Sequence, residues 1–241
     1  MTRRRFFAPP SAFNFGKRAV TLTADEARHL REVLRLKPGD EVSVFDGEGK
    51  EFRARVAQAR REFAELDLDE EIPPARPESP LQITLAVALL KGEKFDLVVQ
   101  KATELGVNKL VPLVTRYADI KLRDESDANK RVTRWQRIAL EAAKQSGRAV
   151  VPEVSLPVTL DSLFNETCLL FSERGGHGIT QIETDAVTAI IGSEGGWSDE
   201  ELDEARAAGA HIVTLGGRIL RAETAAITAI ALLQHRFGDL K

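Results

Sequence analysis

The spacing of apolar residues changes near residue 80, and the change divides the chain into two halves. In the first half, short apolar runs bounded by turn residues predict β-strands at 42–45, 52–56 and 64–68. In the second half, apolar strands alternate with amphipathic helices, which predicts a parallel sheet covered by helices. The predicted strands there are 83–90, 109–114, 168–171, 189–191 and 212–215. The predicted helices are 95–105, 129–146, one that begins with Ser198 and Glu201 spaced as a capping box, and 222–235.

A proline-rich stretch separates the two halves. Residues 72–80 contain four prolines and almost no apolar periodicity, which is typical of a stiff linker at a domain boundary. We therefore expect a first domain at 1–72, a linker at 73–80 and a second domain at 81–241.

The first 61 residues carry an excess of positive charge that the whole chain does not show. The net charge of the chain is −3, but residues 1–61 hold fourteen Lys and Arg against eight Asp and Glu. A helix is predicted at 23–36, with Thr23 and Glu26 spaced as a capping box. An excess of this kind indicates an RNA-facing surface, although a solvated helix face is the common alternative. The candidate phosphate contacts are Arg3, Arg4, Arg5, Arg28, Arg31 and Arg35.

The composition excludes several classes of protein. A single cysteine, Cys168, rules out an internal disulfide, and four scattered histidines form no metal-ligand pattern. The basic N-terminus lacks the apolar core of a signal peptide, and no apolar run reaches membrane-spanning length. We expect a cytoplasmic protein without a metal ion.

Two predicted strands of the second domain run into glycine-bearing loops that open helices. Residues 192–196 read Gly-Ser-Glu-Gly-Gly, and residues 215–217 read Leu-Gly-Gly. Ligands of parallel sheets bind at the carboxyl ends of strands, so the two loops predict a cofactor pocket. The spacing does not match a dinucleotide or P-loop motif, and the acidic helix start at 198–201 would repel a phosphate. A neutral or cationic ligand is therefore favoured over a nucleotide, and two ordinary glycine-rich turns are the alternative.

Together the two loops resemble the signature of a known family. Residues 191–198, Ile-Gly-Ser-Glu-Gly-Gly-Trp-Ser, and 215–225, Leu-Gly-Gly-Arg-Ile-Leu-Arg-Ala-Glu-Thr-Ala, are similar to the RsmE family of 16S ribosomal RNA uracil-N3 methyltransferases, which belongs to the SPOUT class. Further similar motifs at 29–40, 91–107 and 141–148 extend the resemblance over essentially the whole chain. Two positions depart from the family pattern, since Ser193 stands where the family usually has Pro and Lys144 where it has Glu.

The resemblance implies the fold, the cofactor and the partners. The α/β fold would join a small N-terminal PUA-like β-barrel domain to a C-terminal SPOUT domain, a parallel sheet with a trefoil knot. The cofactor would be S-adenosylmethionine, whose sulfonium cation agrees with the acidic first loop. The substrate would be 16S ribosomal RNA or the small ribosomal subunit, and the enzyme would be a homodimer. A ribose 2′-O or other base methyltransferase, and a non-catalytic RNA-binding protein of ribosome assembly, remain as alternatives.

The resemblance and the loop positions also indicate the functional residues. Arg221 is the candidate that stabilises the uracil anion, and Glu223 or Glu194 would orient this arginine or accept the proton. Trp197 would stack on a base, cap the pocket or plug the space under the following helix. The expected RNA contacts of the second domain are Lys91, Lys94, Gln145 and Arg148. The expected cofactor contacts are Phe171, Ser172, Ile191, Gly192, Ser193, Glu194, Gly195, Gly196, Leu215, Gly216, Ile219, Leu220, Arg221 and Thr224.

Overall fold

The structure, a computed structural model, describes residues 4–164, 167–179 and 185–241 and contains two compact units. The N-terminal unit comprises Met1–Glu78 together with Ala143–Val151. The C-terminal unit comprises Ser79–Ala142 and Pro152–Lys241. The segment Ala143–Val151 thus packs with the N-terminal unit, whereas the sequence placed all of 81–241 in the second domain.

Six strands form the sheet of the N-terminal unit. They are β1 (Arg5–Phe7), β2 (Phe13–Asn14), β3 (Ala19–Leu22), β4 (Glu41–Phe45), β5 (Glu51–Ala59) and β6 (Ala64–Ile72). Their order is β1-β4-β5-β6-β3-β2, with β1 and β4 parallel and the other neighbours antiparallel. Fully buried Phe6, Leu30, Val44 and Leu66 lie in the apolar core of the unit. The three predicted strands are present, and β1 to β3 were not predicted because each is too short to show a clear alternation.

The predicted helix at 23–36 is shorter in the structure and its N-terminus is not capped as predicted. Helix α1 spans Ala24–Arg28 and continues as a π-helical turn over His29–Val33. Among the described residues, the Thr23 side chain finds no capping partner, and Glu26 accepts a hydrogen bond from Lys144 instead. Arg35 lies beyond the helix with φ of 53°. The predicted capping box is therefore wrong, and Arg35 does not continue the helical stripe of arginines.

Seven strands form the sheet of the C-terminal unit. They are β7 (Gln82–Ala88), β8 (Lys109–Val114), β9 (Glu153–Val154), β10 (Val158–Thr159), β11 (Cys168–Phe171), β12 (Ala186–Ile191) and β13 (His211–Val213). The order is β10-β8-β7-β12-β11-β13, with β9 beside β8, and these pairings are all parallel. The predicted parallel sheet is confirmed, and the two-residue strands β9 and β10 were not predicted.

Four helices connect these strands. They are α2 (Lys94–Glu104), α3 (Glu125–Ser146), α4 (Asp199–Ala207) and α5 (Ala222–Phe237). Each lies within a few residues of its predicted bounds. No helix in the described ranges is both long enough and apolar enough to cross a bilayer.

Three neighbouring strands end at the same level, which positions the functional loops. Phe171, the last residue of β11, is paired with Ile191 at the end of β12 and with Val213 at the end of β13. Because all three strands are parallel, their carboxyl ends open onto one edge of the sheet. Both glycine loops therefore emerge at this edge, one on each side of the end of β11.

Candidate functional site

A cavity of about 390 Å³ lies at the level where β11, β12 and β13 end. Its volume is within the range of small-molecule sites in proteins. The structure brings together most of the expected cofactor residues on its wall: Phe171, Ser172, Ile191, Gly192, Ser193, Glu194, Gly195, Gly196, Leu215, Ile219, Leu220 and Arg221. Gly216 and Thr224 do not line it. The wall also contains residues that were not among the expected cofactor contacts: Glu173, Trp197, Val213, Arg218, Ala222 and Ala225.

The first glycine loop is a tight turn supported by Trp197. The Gly196 amide donates to the Ser193 carbonyl at 3.0 Å, and Gly196 has φ of 71°, which favours glycine. Trp197 is 3% exposed, and its indole Nε1 donates to the Phe171 carbonyl at 2.9 Å. A Cβ on Gly192 would lie 3.0 Å from the indole ring. Trp197 therefore packs as a plug beneath the loop and is not available to stack on a base.

The acidic start of α4 is neutralised by arginines and does not face the cavity. Ser198 and Glu201 form the predicted capping box, with hydrogen bonds of 3.2 and 2.9 Å. Asp199 accepts a hydrogen bond of 2.5 Å from Arg174, which lowers the pKa of the aspartate. Glu200 accepts one of 2.7 Å from Arg116. The repulsion of anions predicted from this helix start is therefore reduced, and the acidic residues on the cavity wall are instead Glu173 and Glu194.

Glu194 forms an ion pair with Lys94, the first residue of α2. Lys94 Nζ donates to Glu194 Oε1 at 2.8 Å. Burial of Glu194 acts to raise its pKa, but hydrogen bonds from Lys94 and from the backbone outweigh it, so the pKa lies below 4.5. The same hydrogen bond raises the pKa of Lys94 above 10.5, and the charge of Glu223 adds to this increase. Lys94, expected at the RNA surface, is thus held against the first cofactor loop.

Arg221 and Glu223 lie where the second loop enters α5. Arg221 is the residue before the helix, is exposed, and lines the cavity. Glu223 is half-buried in the first helical turn, and its Oε2 is buried without a hydrogen-bond partner among the described residues. The Ser193 hydroxyl is likewise buried without a hydrogen-bond partner among the described residues, and Ser193 also lines the cavity. Nowhere in the described ranges do three or more His, Cys, Asp or Glu side chains gather as a metal site.

Several predicted RNA contacts lie at the surface of their units. Arg28, Arg35 and Gln145 are exposed. Arg4 lies 3.6 Å from Asp40, Arg31 bonds its neighbour Glu32 at 2.6 Å, and Lys91 pairs with Asp119 at 2.7 Å. Arg3 lies outside the described residues. These side chains stay candidates for contact with phosphates.

Arg5 and Arg148 are buried in the N-terminal unit, which corrects their assignment as RNA contacts. Arg5 pairs with fully buried Glu51 at 3.2 Å and also donates to the Arg148 carbonyl at 2.8 Å. Arg148 is 4% exposed and pairs with Glu78 at 2.6 Å. A buried carboxylate such as Glu51 requires a cation nearby. Both arginines therefore act inside the unit, and they fix residues 143–151 to it.

Comparisons with known proteins match both parts of the chain. A family described as RNA methyltransferase domain matches residues 77–234, and one described as RNA methyltransferase PUA domain matches residues 22–69. The chain is 37% identical over 224 residues to Ribosomal RNA small subunit methyltransferase E of Synechocystis sp., covering 88% of this chain and 71% of the relative. It is 32% identical over 229 residues to the protein of the same name from Buchnera aphidicola, covering 92% of each. These matches confirm the predicted architecture, a PUA-like domain followed by a methyltransferase domain.

A solved structure is similar over almost the full length. It is the crystal structure of a Ribosomal RNA small subunit methyltransferase E from Neisseria gonorrhoeae bound to S-adenosyl methionine. The sequences are 34% identical and the TM-score is 0.88, over 99% of this chain and 100% of that chain.

Proposed function

Because this chain belongs to the family of ribosomal RNA small subunit methyltransferase E, we propose that it transfers a methyl group from S-adenosylmethionine to N3 of a uridine in 16S ribosomal RNA. The observation that carries this proposal is the cavity at the ends of β11, β12 and β13. Its wall is built from both loops of the family signature. The position is the one where parallel sheets bind their ligands.

The groups on the cavity wall suit S-adenosylmethionine. The carboxylates of Glu173 and Glu194 face a ligand that carries a sulfonium and an ammonium cation. The unpartnered Ser193 hydroxyl needs a hydrogen bond, which a polar ligand would supply. When bound, the cofactor supplies an electrophilic methyl group. The protein's own contribution is then to hold the uracil in line with that group and to stabilise the negative charge that develops on the ring.

Arg221 is the residue proposed to stabilise that charge. Its guanidinium lies at the junction of the second loop and α5, beside the cavity and exposed to an approaching base. A preorganised cation at this position would lower the barrier because its charge is already oriented before the reaction.

The proposal also includes the RNA-binding surface, the oligomeric state, the cellular location and a knot in the backbone. We place the RNA on the N-terminal unit, with Arg28 and Arg35 as exposed phosphate contacts. We also propose a homodimer in the cytoplasm and a trefoil knot in the C-terminal domain. Leu232 on helix α5 supports the homodimer, since a second subunit would cover this exposed apolar side chain.

The test is methylation of small ribosomal subunits and of naked 16S ribosomal RNA, each isolated without this modification. Mass spectrometry of the digested RNA should find 3-methyluridine as the product. A methyl group on a ribose or on another base would contradict the proposed target. Calorimetry should show S-adenosylmethionine binding to the free protein, and its absence would favour an RNA-binding protein without activity. Sedimentation of the same sample gives the oligomeric state.

A further inference from the structure

Three carboxylates lie around the cavity: Glu173, which pairs with its neighbour Arg174 at 3.6 Å, Glu194 in the first loop, and Glu223 beyond the second. Glu194 and Glu223 are the two that the sequence indicates as candidates for a base. The proposed reaction needs a base, because N3 of uracil carries a proton and can bond a methyl group only after losing it. The sequence alone indicates no preference between Glu194 and Glu223 as the base. Their hydrogen bonds in the structure differ.

Glu194 is already engaged. Its Oε1 accepts the hydrogen bond of 2.8 Å from Lys94, whose side chain is 35% exposed. This contact lowers the pKa of Glu194, and a carboxylate with a lowered pKa is a weak base. Lys94 itself cannot take the proton either, because its raised pKa keeps the amine protonated at neutral pH.

Glu223 has an oxygen that remains unsatisfied. Its Oε2 is buried and accepts no hydrogen bond from any described residue. A buried carboxylate oxygen without a donor is costly in free energy, so such an atom marks a place where a donor arrives from outside. Glu223 is one residue away from Ala222 and two from Arg221, both on the cavity wall. A uracil held by Arg221 would bring its N3–H, a hydrogen-bond donor, to this region.

From this geometry we infer, on the basis of the proposed function, that Glu223 is the general base and that Lys94 is a positioning residue that holds Glu194 at the cofactor. The N3–H bond breaks and its proton passes to Glu223 Oε2. The electron pair left on N3 forms the bond to the methyl carbon, and the bond between that carbon and sulfur breaks to leave a neutral thioether. Glu223 then releases the proton to solvent, which restores the site.

Single-turnover methyl transfer by Glu223→Gln and Glu194→Gln, measured across a pH series with saturating cofactor and RNA, tests this inference. Glu223→Gln should lower the rate at neutral pH by at least about a hundredfold, the scale of general-base catalysis. Its rate should then rise with hydroxide concentration, because hydroxide removes the N3 proton in place of the carboxylate. RNA containing 5-fluorouridine should restore much of the rate, because fluorine makes N3–H more acidic.

Glu194→Gln should behave differently from Glu223→Gln. We expect it to weaken S-adenosylmethionine binding without rescue by alkaline pH or by 5-fluorouridine. Glu223→Asp, which keeps a carboxylate, provides a second variant should Glu223→Gln fold poorly, and its rate should exceed that of Glu223→Gln and depend less on pH. Cofactor affinity and thermal unfolding of each variant show whether the fold is intact.

Two results would overturn the inference. Alkaline rescue of Glu194→Gln but not of Glu223→Gln would make Glu194 the base. A reduction of the rate in Glu223→Gln that is equal at every pH and with both RNAs would make Glu223 a structural residue. Failure of the wild-type protein to form 3-methyluridine would contradict the proposed function itself, and the wild-type reaction shows this before any variant is compared.

Discussion

The side chains of Lys144 and Glu26 form an ion pair of 2.6 Å within the N-terminal unit, across 118 residues of sequence. Both are largely buried, with side-chain exposures of 17% and 9%. Lys144 is one of the two departures from the family pattern, which has Glu at this position. The departure thus supplies the cation that the buried carboxylate of Glu26 requires.

Lys144→Met should destabilise the protein by about 3 kcal/mol, because it leaves the carboxylate of Glu26 buried without its cation. The matched control is Arg53→Met, which removes an exposed partner of Glu70, with side-chain exposures of 45% and 60%. That change should cost under about 1 kcal/mol, as is usual for exposed pairs. Urea unfolding followed by circular dichroism gives both values, and equal destabilisation would show that the buried pair is no stronger than a surface one.

The same pair shows which local structure the sequence could predict. Two patterns of Ser or Thr followed three residues later by Glu suggested capping boxes, and only Ser198 with Glu201 forms one. All the groups of that motif lie within four residues, so a local pattern describes it completely. At Thr23 the motif fails because the partner of Glu26 is distant in sequence.

The residues of the candidate site divide in the same way, into those that a local sequence pattern predicts and those that depend on distant parts of the chain. The loops around the cavity were predictable because a run of apolar β-formers followed by glycine marks the end of a parallel strand. The partners of charged groups were not predictable, because Arg5 and Arg148 bind Glu51 and Glu78 from other parts of the chain. Glu173 on the cavity wall carries no local motif of its own, and only the tertiary structure places it there.

Gly195→Ala should weaken S-adenosylmethionine binding through Tyr117. A Cβ on Gly195 would lie 2.7 Å from Tyr117 Cβ and 3.0 Å from its carbonyl oxygen, so either the loop or Tyr117 must move. We expect affinity to fall at least roughly tenfold, equivalent to about 1.4 kcal/mol, with the fold retained. Gly217→Ala in the second loop is the control, since its Cβ would meet nothing within 4 Å. Calorimetry compares the two, and equal affinities would mean that the Gly195 contact does not shape the pocket.

Arg28→Gln with Arg35→Gln should weaken RNA binding and flatten its dependence on salt. Both side chains are exposed and have no ion pair within the described part of the chain. For every phosphate that is no longer neutralised, the slope of log affinity against log salt should fall by roughly 0.7 to 0.9. The control replaces Arg53 and Arg55, which removes the same charge but from residues paired with Glu70 and Asp69. If the two double variants have the same slope, RNA binding depends on the overall charge and not on Arg28 and Arg35 in particular.

The Lys94–Glu194 pair should make cofactor binding insensitive to pH around neutrality. The pKa of Glu194 in the folded protein lies below 4.5. Its ionised form therefore stabilises the fold above pH 4.5, and this stabilisation is lost as the pH falls through the folded pKa. The pKa of Lys94 in the folded protein lies above 10.5. The stabilisation that its ammonium contributes to the fold is lost only as the pH rises through this folded pKa. Calorimetry of the wild type should therefore show no change in cofactor affinity from the titration of either group around neutrality.

Lys94→Met should move the acidic limit of cofactor binding to higher pH. Without the hydrogen bond from Lys94, burial raises the pKa of Glu194 relative to the wild type. Lys101→Met is the control, because Lys101 pairs with Glu104 within α2 and has a similar exposure of 37%. An acidic limit that stays at the wild-type pH in Lys94→Met would show that Glu194 does not bind the cofactor in its ionised form.

Arg221→Ala should lower the rate of methyl transfer at saturating cofactor while leaving the oligomeric state unchanged. Removal of one preorganised charge stabiliser costs about a hundred- to a thousandfold in rate. Arg221→Lys should recover little, because a compact ammonium cannot reproduce the planar fork of a guanidinium. Arg218→Ala is the matched control, since Arg218 lies on the same loop and also lines the cavity. Single-turnover kinetics at saturating cofactor and RNA separate the chemical step from binding. Sedimentation of each variant reports assembly, and a near-normal rate in Arg221→Ala would remove this arginine from the reaction.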